Sequence, residues 1–247
     1  MTKIKTSDLF CLYLRSFLVQ NGWNYERMTA LGFAWILKPL TGKLFGSTEE
    51  QKSFLKRHLL GFNANPYMVD YAVGAVVKLE EDRTPAEQII RFKNSLRGPL
   101  GAIGDRLIWQ NLKPALLILS LALCITLGAW GAAIGWLLFN LFQVYHRARG
   151  IVKGYNLGWG LSSELTKGYL QRMTVWSNRM GAFFLGILLV FVLGHLKSKS
   201  GKLEDIPILV GFSLISVFAF RRNFNPNYTI LFSLVLFLLI KTMILLV

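Results

Sequence analysis

The sequence contains few of the residues that form metal centres and nucleophilic sites. Its 247 residues include two cysteines, Cys11 and Cys124, and three histidines, His58, His146 and His195. The cysteines lie far apart in apolar surroundings, so they indicate neither a disulfide framework nor metal-ligand spacing. No histidine lies near Cys, Asp and Glu at the spacing of a metal site or a catalytic triad. We therefore expect no catalytic residue, no metal and no cofactor.

Acidic residues are also scarce, with 13 Asp and Glu against 28 Lys and Arg and a net charge of +15. Charged residues make up 17% of the chain, whereas about 25% is usual in soluble proteins. Hydrophobic residues make up 53%, and the mean hydropathy is +0.43. The basic residues lie between apolar stretches, as they do in cytoplasmic loops of membrane proteins. This pattern favours an integral membrane protein and no nucleic-acid partner.

The strongest membrane signal is Pro114–Phe142, which has no charged residue. One straight helix of this length would measure ~43 Å, against a hydrocarbon core of ~30 Å. Gly128-Ala-Trp-Gly131 lies at its centre, where a turn would fall. Both flanks are basic, and a hairpin-like helix pair keeps both of them on the cytoplasmic side. We therefore predict a broken helix pair over this stretch.

Three further apolar stretches can form membrane segments, namely Met180–Leu196, Ile206–Phe220 and Tyr228–Val247. The N-terminus carries no pattern of a cleavable signal peptide, which favours insertion through internal spans. We predict an all-α, polytopic integral membrane protein with re-entrant helical hairpins and four or five membrane segments.

The N-terminal third is amphipathic. Apolar residues from Leu9 to Leu18 recur at helical spacing, with Ser7 or Asp8 as the cap, and Ser47 opens a charged helix that runs to about His58. We predict a single domain over residues 1–247, with an amphipathic and hairpin-rich part at 1–113 and the main membrane-spanning part at 114–247.

Trp23-Asn-Tyr-Glu-Arg-Met28 combines polar, charged and aromatic groups ahead of an apolar stretch. One interpretation is a helix end with a local pair between Glu26 and Arg27. The other is a ligand site, in which Asn24 and Glu26 bond sugar hydroxyls while an aromatic ring stacks on the sugar. The residues alone leave both interpretations open.

Phe62-Asn-Ala-Asn-Pro-Tyr67 interrupts a helical region, because Pro66 favours an extended Asn65. In a soluble protein this is a turn. In a membrane subunit, such a polar segment must be buried in protein or line a cavity, which makes Asn65 a candidate for substrate binding.

Gly98-Pro-Leu-Gly-Ala-Ile-Gly-Asp105 carries three glycines and a proline, which disfavour a regular helix. Its spacing fits no phosphate-binding loop. We predict the tip of a re-entrant hairpin, since transporters place binding sites at broken helices. Asp105 and Trp109 are the candidate substrate-binding residues here, although Asp105 could instead pair with Arg106 or cap a helix. The hairpin residues are Gly98, Pro99, Gly101 and Gly104.

In this order, the motifs resemble those of the IID component of the mannose/fructose/sorbose phosphotransferase family. The resemblance extends over nearly the whole chain. Besides the three motifs above, it rests on Arg15-Ser-Phe17, Leu31-Gly-Phe33, Pro39, Leu79-Glu-Glu81, Trp109, Pro114, Phe139-Asn-Leu141, Gly154-Tyr155, Gly158 and Asn225-Pro-Asn227.

The resemblance implies a multi-pass subunit of the bacterial cytoplasmic membrane, in contact with membrane lipid. Such a subunit pairs with a IIC subunit of related, oppositely oriented fold, and three IIC–IID pairs form a trimer. A hexose crosses while the cytoplasmic IIB subunit, charged by IIA, phosphorylates it. The phosphohistidines lie on IIA and IIB, so the IID subunit needs no catalytic residue.

One departure from the family pattern is Arg106, where a small residue usually follows the Gly-Asp pair. It leaves an alternative function open: a membrane scaffold or receptor that kept the fold and lost sugar transport. A membrane-embedded enzyme is a further alternative, but it requires clustered acidic or histidine ligands, and the sequence offers only Asp105.

Overall fold

The structure is a computed structural model that describes residues 3–200, and every regular element in this range is helical. The all-α prediction is therefore confirmed for this part of the chain. The chain divides into two units, Met1–Leu188 and Leu189–Val247. The helices are α1 (Thr6–Ser16), α2 (Ala30–Leu37), α3 (Thr41–Leu44), α4 (Thr48–His58), α5 (Val69–Glu81), α6 (Ala86–Gly104), α7 (Lys113–Leu127), α8 (Ala129–Leu157), α9 (Leu161–Lys167) and α10 (Tyr169–Ser200).

Helix α4 begins where the sequence predicted it, with Ser47 as its N-terminal cap. The Ser47 side chain accepts a hydrogen bond from the backbone nitrogen of Glu50, and the Glu50 carboxylate accepts one from the Ser47 backbone nitrogen. This reciprocal arrangement satisfies two donors that would otherwise be unpaired at the helix start. Helix α1 begins earlier than predicted, at Thr6. Asp8 lies inside its first turn, where it accepts from the backbone nitrogen of Lys5 at 2.6 Å.

Within residues 3–200, helices α5 and α8 form the most extensive packing. A Cβ atom added to Gly74 would lie 2.1 Å from the carbonyl oxygen of Ile151, and one added to Gly154 would lie 2.2 Å from that of Tyr71. Only glycine permits the two backbones to approach this closely. The α5–α8 pair therefore packs closely, and α1, α2 and α6 also contact α5.

The prediction that Gly98–Asp105 forms a hairpin tip is wrong. Helix α6 continues through Pro99 to Gly104, and a π-helical segment, Asp105–Leu112, connects it directly to α7. Each interior glycine costs a helix about 1 kcal/mol, but burial of one apolar face offsets this cost. The buried residues on that face are Leu96, Leu100 and Ile103.

The predicted break at the centre of Pro114–Phe142 is confirmed. Gly128 has a φ of +57°, and α7 ends immediately before it while α8 begins immediately after it. This conformation is accessible to glycine and costly for most other residues. Helices α7 and α8 then pack against each other as a helical hairpin.

Within residues 3–200, the continuous helical stretch Ala86–Leu127 is long and apolar enough to cross a membrane. It joins α6, the π-helical segment and α7. The predicted segment Met180–Leu196 lies within α10. The predicted segments Ile206–Phe220 and Tyr228–Val247 lie outside the described residues.

Candidate functional site

Two of the residues predicted to bind substrate contact each other directly. The amide nitrogen of Asn65 donates to the Asp105 carboxylate at 2.8 Å. Asn65 is buried and also accepts from the backbone nitrogen of Tyr67 at 3.1 Å. Asp105 is exposed, so part of its carboxylate remains free for another donor. Asn65 therefore holds a carboxylate in place at the surface.

The backbone around this pair is arranged for close approach. Asp105 is the first residue of the π-helical segment, a conformation that occurs frequently at functional sites. The preceding Gly104 lies against the Asn65 loop, and a Cβ atom there would be 2.4 Å from the Asn65 Cβ. Gly104 thus allows the loop to reach the helix. The role of Gly104 in the structure is a close contact rather than a turn.

Aromatic residues lie close to the pair in the chain, since Tyr67 is two residues after Asn65 and Trp109 is four residues after Asp105. The rings of Tyr67 and Trp109 have centroids 6.2 Å apart, and those of Tyr67 and Phe139 are 5.8 Å apart. Trp109 is 49% exposed, so part of its ring remains available for contact. The Lys113 ammonium lies 3.7 Å from the Trp109 ring centroid. The structure therefore brings Asn65, Asp105 and Trp109 into one region.

Asn24 and Glu26 lie on a separate tight turn. Asn24 accepts from the backbone nitrogen of Arg27 at 2.8 Å, and its amide nitrogen donates to the Gly22 carbonyl at 3.3 Å. Glu26 is exposed and pairs with Arg27 at 3.5 Å. Among the contacts of residues 3–200, none joins either side chain to Asp105. Their participation in sugar binding stays a prediction.

The turn nevertheless packs beside the Asn65 loop. Met28 forms a parallel bridge with Phe62. The backbone nitrogen and hydroxyl of Thr29 both donate to the Phe62 carbonyl, at 2.9 and 2.8 Å. Two motifs that are separate in the sequence are therefore neighbours in the fold.

A buried ion pair that the sequence analysis missed lies behind this region. Asp70 on α5 is fully buried, and its carboxylate accepts from Arg147 on α8 at 3.2 Å. Arg147 also donates to the carbonyl oxygen of Ser16 at 3.0 Å. Burial raises the pKa of Asp70 to about 6, and the nearby Arg147 opposes that rise. The pair ties the end of α1 to α5 and α8.

A second buried network connects α4, α5 and α6. Glu80 accepts two hydrogen bonds from Arg57, at 2.7 and 2.5 Å, and contacts His58 at 2.8 Å. Burial acts to raise the pKa of Glu80, but these bonds outweigh it and lower the pKa. Burial lowers the pKa of His58 to about 4. The buried Lys93 ammonium donates to backbone carbonyls at the end of α4, where a helix favours positive charge.

The buried Asn65 and the exposed Asp105 together offer hydrogen-bonding groups for a ligand. Over residues 3–200, no cluster of three or more His, Cys, Asp or Glu side chains is arranged to hold a metal ion. A carboxylate and an amide beside an aromatic ring can bind a polyhydroxylated ligand through hydrogen bonds and stacking. The described residues form a helical protein with one long apolar helix and a polar pair at a helix irregularity, a feature at which transporters bind substrate.

Comparison with known proteins places the chain in a family. Residues 3–201 match the model of the PTS system mannose/fructose/sorbose family IID component, and the chain belongs to that family. The resemblance seen in the sequence motifs is thereby confirmed.

Relatives of known name are similar over most of their length. The chain is 28% identical to the mannose-specific EIID component of Escherichia coli (strain K12), over 92% of this chain and 90% of that protein. It is 33% identical to the sorbose-specific EIID component of Lacticaseibacillus casei, over 76% and 68%.

Two solved structures are also similar. A chain of the mannose transporter ManYZ in complex with microcin E492 superposes with a TM-score of 0.62 at 26% identity, over 96% of both chains. A structure described as a membrane protein superposes with a TM-score of 0.70 at 27% identity, again over 96% of both. Both similarities agree with the helical fold of the described residues.

Proposed function

We propose that this chain is the IID membrane subunit of a phosphoenolpyruvate-dependent sugar phosphotransferase permease and forms the path of a hexose together with a IIC subunit. The observation that carries the proposal is the family match over residues 3–201. The similarity to a chain of the mannose transporter ManYZ supports partnership with IIC. Relatives named for mannose and for sorbose support a sugar of this class as substrate.

Asn65, Asp105 and Trp109 are proposed to contribute to the sugar path. The exposed Asp105 carboxylate accepts hydrogen bonds from sugar hydroxyls, and the Asn65 amide fixes its orientation at 2.8 Å. The exposed part of the Trp109 ring packs on the apolar face of the sugar. Because a hydrogen bond to a charged group contributes about 1.5–3 kcal/mol, Asp105 is expected to dominate the affinity of this part of the path.

The proposal also includes the membrane topology of the subunit and its assembly with partner subunits. The subunit spans the bacterial cytoplasmic membrane several times, and the α7–α8 hairpin enters it from one side. Three IIC–IID pairs form the complex, and cytoplasmic IIA and IIB supply the phosphoryl group that IIB passes to the sugar. Both flanks of the α7–α8 hairpin are basic, which supports its entry from the cytoplasmic side.

Restoration of sugar uptake tests the proposal. Cells that lack this subunit, but contain its IIC, IIA and IIB partners, would be assayed for uptake and phosphorylation of labelled hexoses with and without the chain. We expect the chain to restore accumulation of at least one hexose as its phosphate. If the chain reaches the membrane with its partners and no hexose is accumulated, the transport function is wrong and a scaffold or receptor function replaces it.

A further inference from the structure

Helices α7 and α8 enclose a groove whose lining includes Trp109, a residue of the proposed sugar path. Its volume is about 550 Å³, within the range of roughly 300–1,000 Å³ found for small-ligand sites. The walls are almost wholly apolar, and several of the side chains that form them are strongly exposed. The principal wall residues are Leu116, Leu117, Ala132, Trp136 and Phe139.

One positive charge lies in the lining of this groove. The Lys113 ammonium is 3.7 Å from the ring centroid of Trp109 and 5.1 Å from that of Phe139. In the described part of the chain, no carboxylate lies within ion-pair distance of it. Aromatic rings attract a cation, but they do not neutralise its charge.

A second cation, Arg147, lies near the Lys113 ammonium, because both contact the Tyr67 ring. The Arg147 guanidinium lies 5.3 Å from the Tyr67 ring centroid, and the Lys113 ammonium lies 5.4 Å from the same centroid. Arg147 is compensated by Asp70 at 3.2 Å. Lys113 therefore carries the uncompensated charge of the two, and an anion beside it would lower the electrostatic energy of the site.

The position of Lys113 in the sequence indicates where that anion comes from. Lys113 directly precedes the uncharged stretch Pro114–Phe142. In a membrane subunit, a lysine at the end of such a stretch extends toward the headgroup layer, and tryptophan is enriched at the same level. The apolar walls of the groove then face the acyl chains.

We propose that the α7–α8 groove is a binding site for one anionic phospholipid, with an acyl chain along its apolar walls and the phosphate at Lys113. Basic sites between membrane helices bind anionic headgroups in this way. The groove offers a hexose few polar partners. Its polar side-chain groups are the Lys113 ammonium, the ring nitrogens of Trp109 and Trp136, and the Ser120 hydroxyl. The Ser120 hydroxyl already donates to the Leu116 carbonyl. The proposal rests on the membrane location and IIC partnership of the proposed function, and Trp109 is the residue that the groove shares with the proposed sugar path.

Thermal stability of the intact, delipidated IIC–IID complex in detergent tests the site. Phosphatidylglycerol and phosphatidylcholine with identical acyl chains would be added separately, and the rise in melting temperature measured. Because a ligand of the folded state raises its stability, we expect a larger rise with phosphatidylglycerol. Lys113→Gln should abolish this difference, whereas Lys113→Arg should keep it. Lys52→Gln, on the exposed face of α4, is the matched control and should also keep it.

A second variant tests the groove without changing its charge. Ala132→Phe places a ring in the apolar space, and it should reduce the rise produced by both lipids. An equal phosphatidylglycerol effect in wild type and Lys113→Gln would overturn the proposal. So would a failure of Lys113→Gln or Ala132→Phe to assemble with IIC despite normal membrane insertion, because the groove would then be a subunit interface.

Discussion

The Asn65–Asp105 pair and the Asp70–Arg147 pair join residues far apart in the sequence but lie in opposite surroundings. Asp70 and Arg147 are almost completely buried on the α5–α8 pair, whereas Asp105 is exposed beside a π-helical segment. A buried charge is costly when its partner is lost. An exposed carboxylate can exchange its partner for a ligand at little cost. We therefore expect the first pair to contribute stability, and we propose sugar recognition for the second.

The largest effect is expected for Arg147→Ala. This change leaves the buried Asp70 carboxylate without its cation and removes the hydrogen bond to the Ser16 carbonyl. Loss of one partner of a buried ion pair costs about 3–5 kcal/mol, so the melting temperature of the purified complex should fall steeply. Arg91→Ala, at a side chain that is 83% exposed, is the control. Equal melting temperatures for the two variants would show that the buried pair contributes little.

A smaller effect is expected for Gly104→Ala. The added methyl group would overlap the Asn65 side chain, whose Cβ and Cγ lie 2.4 and 2.5 Å away. Forcing an extra carbon into such a contact costs about 1–3 kcal/mol and should lower both the melting temperature and hexose uptake. Gly101→Ala is the matched control, because a Cβ there meets nothing within 4 Å. If both variants behave alike, the loop does not depend on this close approach.

A further expected effect is a pH dependence that involves His58. Its pKa is about 4 in the folded protein, against 6.5 for the unperturbed group. The unfolded chain therefore binds a proton between these values while the folded chain does not, and the stability contributed by neutral His58 is lost as the pH falls from 6.5 to about 4. Asp70 has the opposite dependence, because its folded pKa is raised. The test is thus the difference between wild type and His58→Gln.

We expect the melting temperature of wild type to fall relative to that of His58→Gln as the pH is lowered through this window. Both proteins retain Asp70, so its contribution cancels in the difference. If the melting temperatures of the two proteins differ by the same amount at every pH from 6.5 to 4, the assignment of His58 as a buried neutral residue is contradicted.

Features with a local cause could be predicted from the sequence. The start of α4 follows from Ser47 and Glu50, which satisfy each other's backbone donors within four residues. The break between α7 and α8 follows from Gly128, which adopts a positive φ. In both cases the residues that determine the structure are adjacent in the chain, so no knowledge of packing is needed.

Features that depend on packing could not be predicted in the same way. The glycines at Gly98–Gly104 predict a turn locally, but burial of neighbouring apolar residues keeps α6 helical. Asn65 and Asp105 were candidates individually, yet their contact spans forty residues and requires the absence of a side chain at Gly104. Asp70 and Arg147 carried no local signal, because a charge beside an apolar helix is ordinary until its burial is known.

Hexose uptake by Asp105→Asn tests the central contrast most directly. The amide keeps the size of the side chain and removes its charge, and Glu87→Gln, at an 86% exposed position of α6, is the matched control. Because a charged hydrogen bond contributes about 1.5–3 kcal/mol and 1.4 kcal/mol is tenfold, initial uptake at low hexose concentration should fall about tenfold or more. The melting temperature should stay at the wild-type value. Unchanged uptake, or a fall in uptake that only follows lost stability, would contradict the assignment of recognition to the Asn65–Asp105 pair.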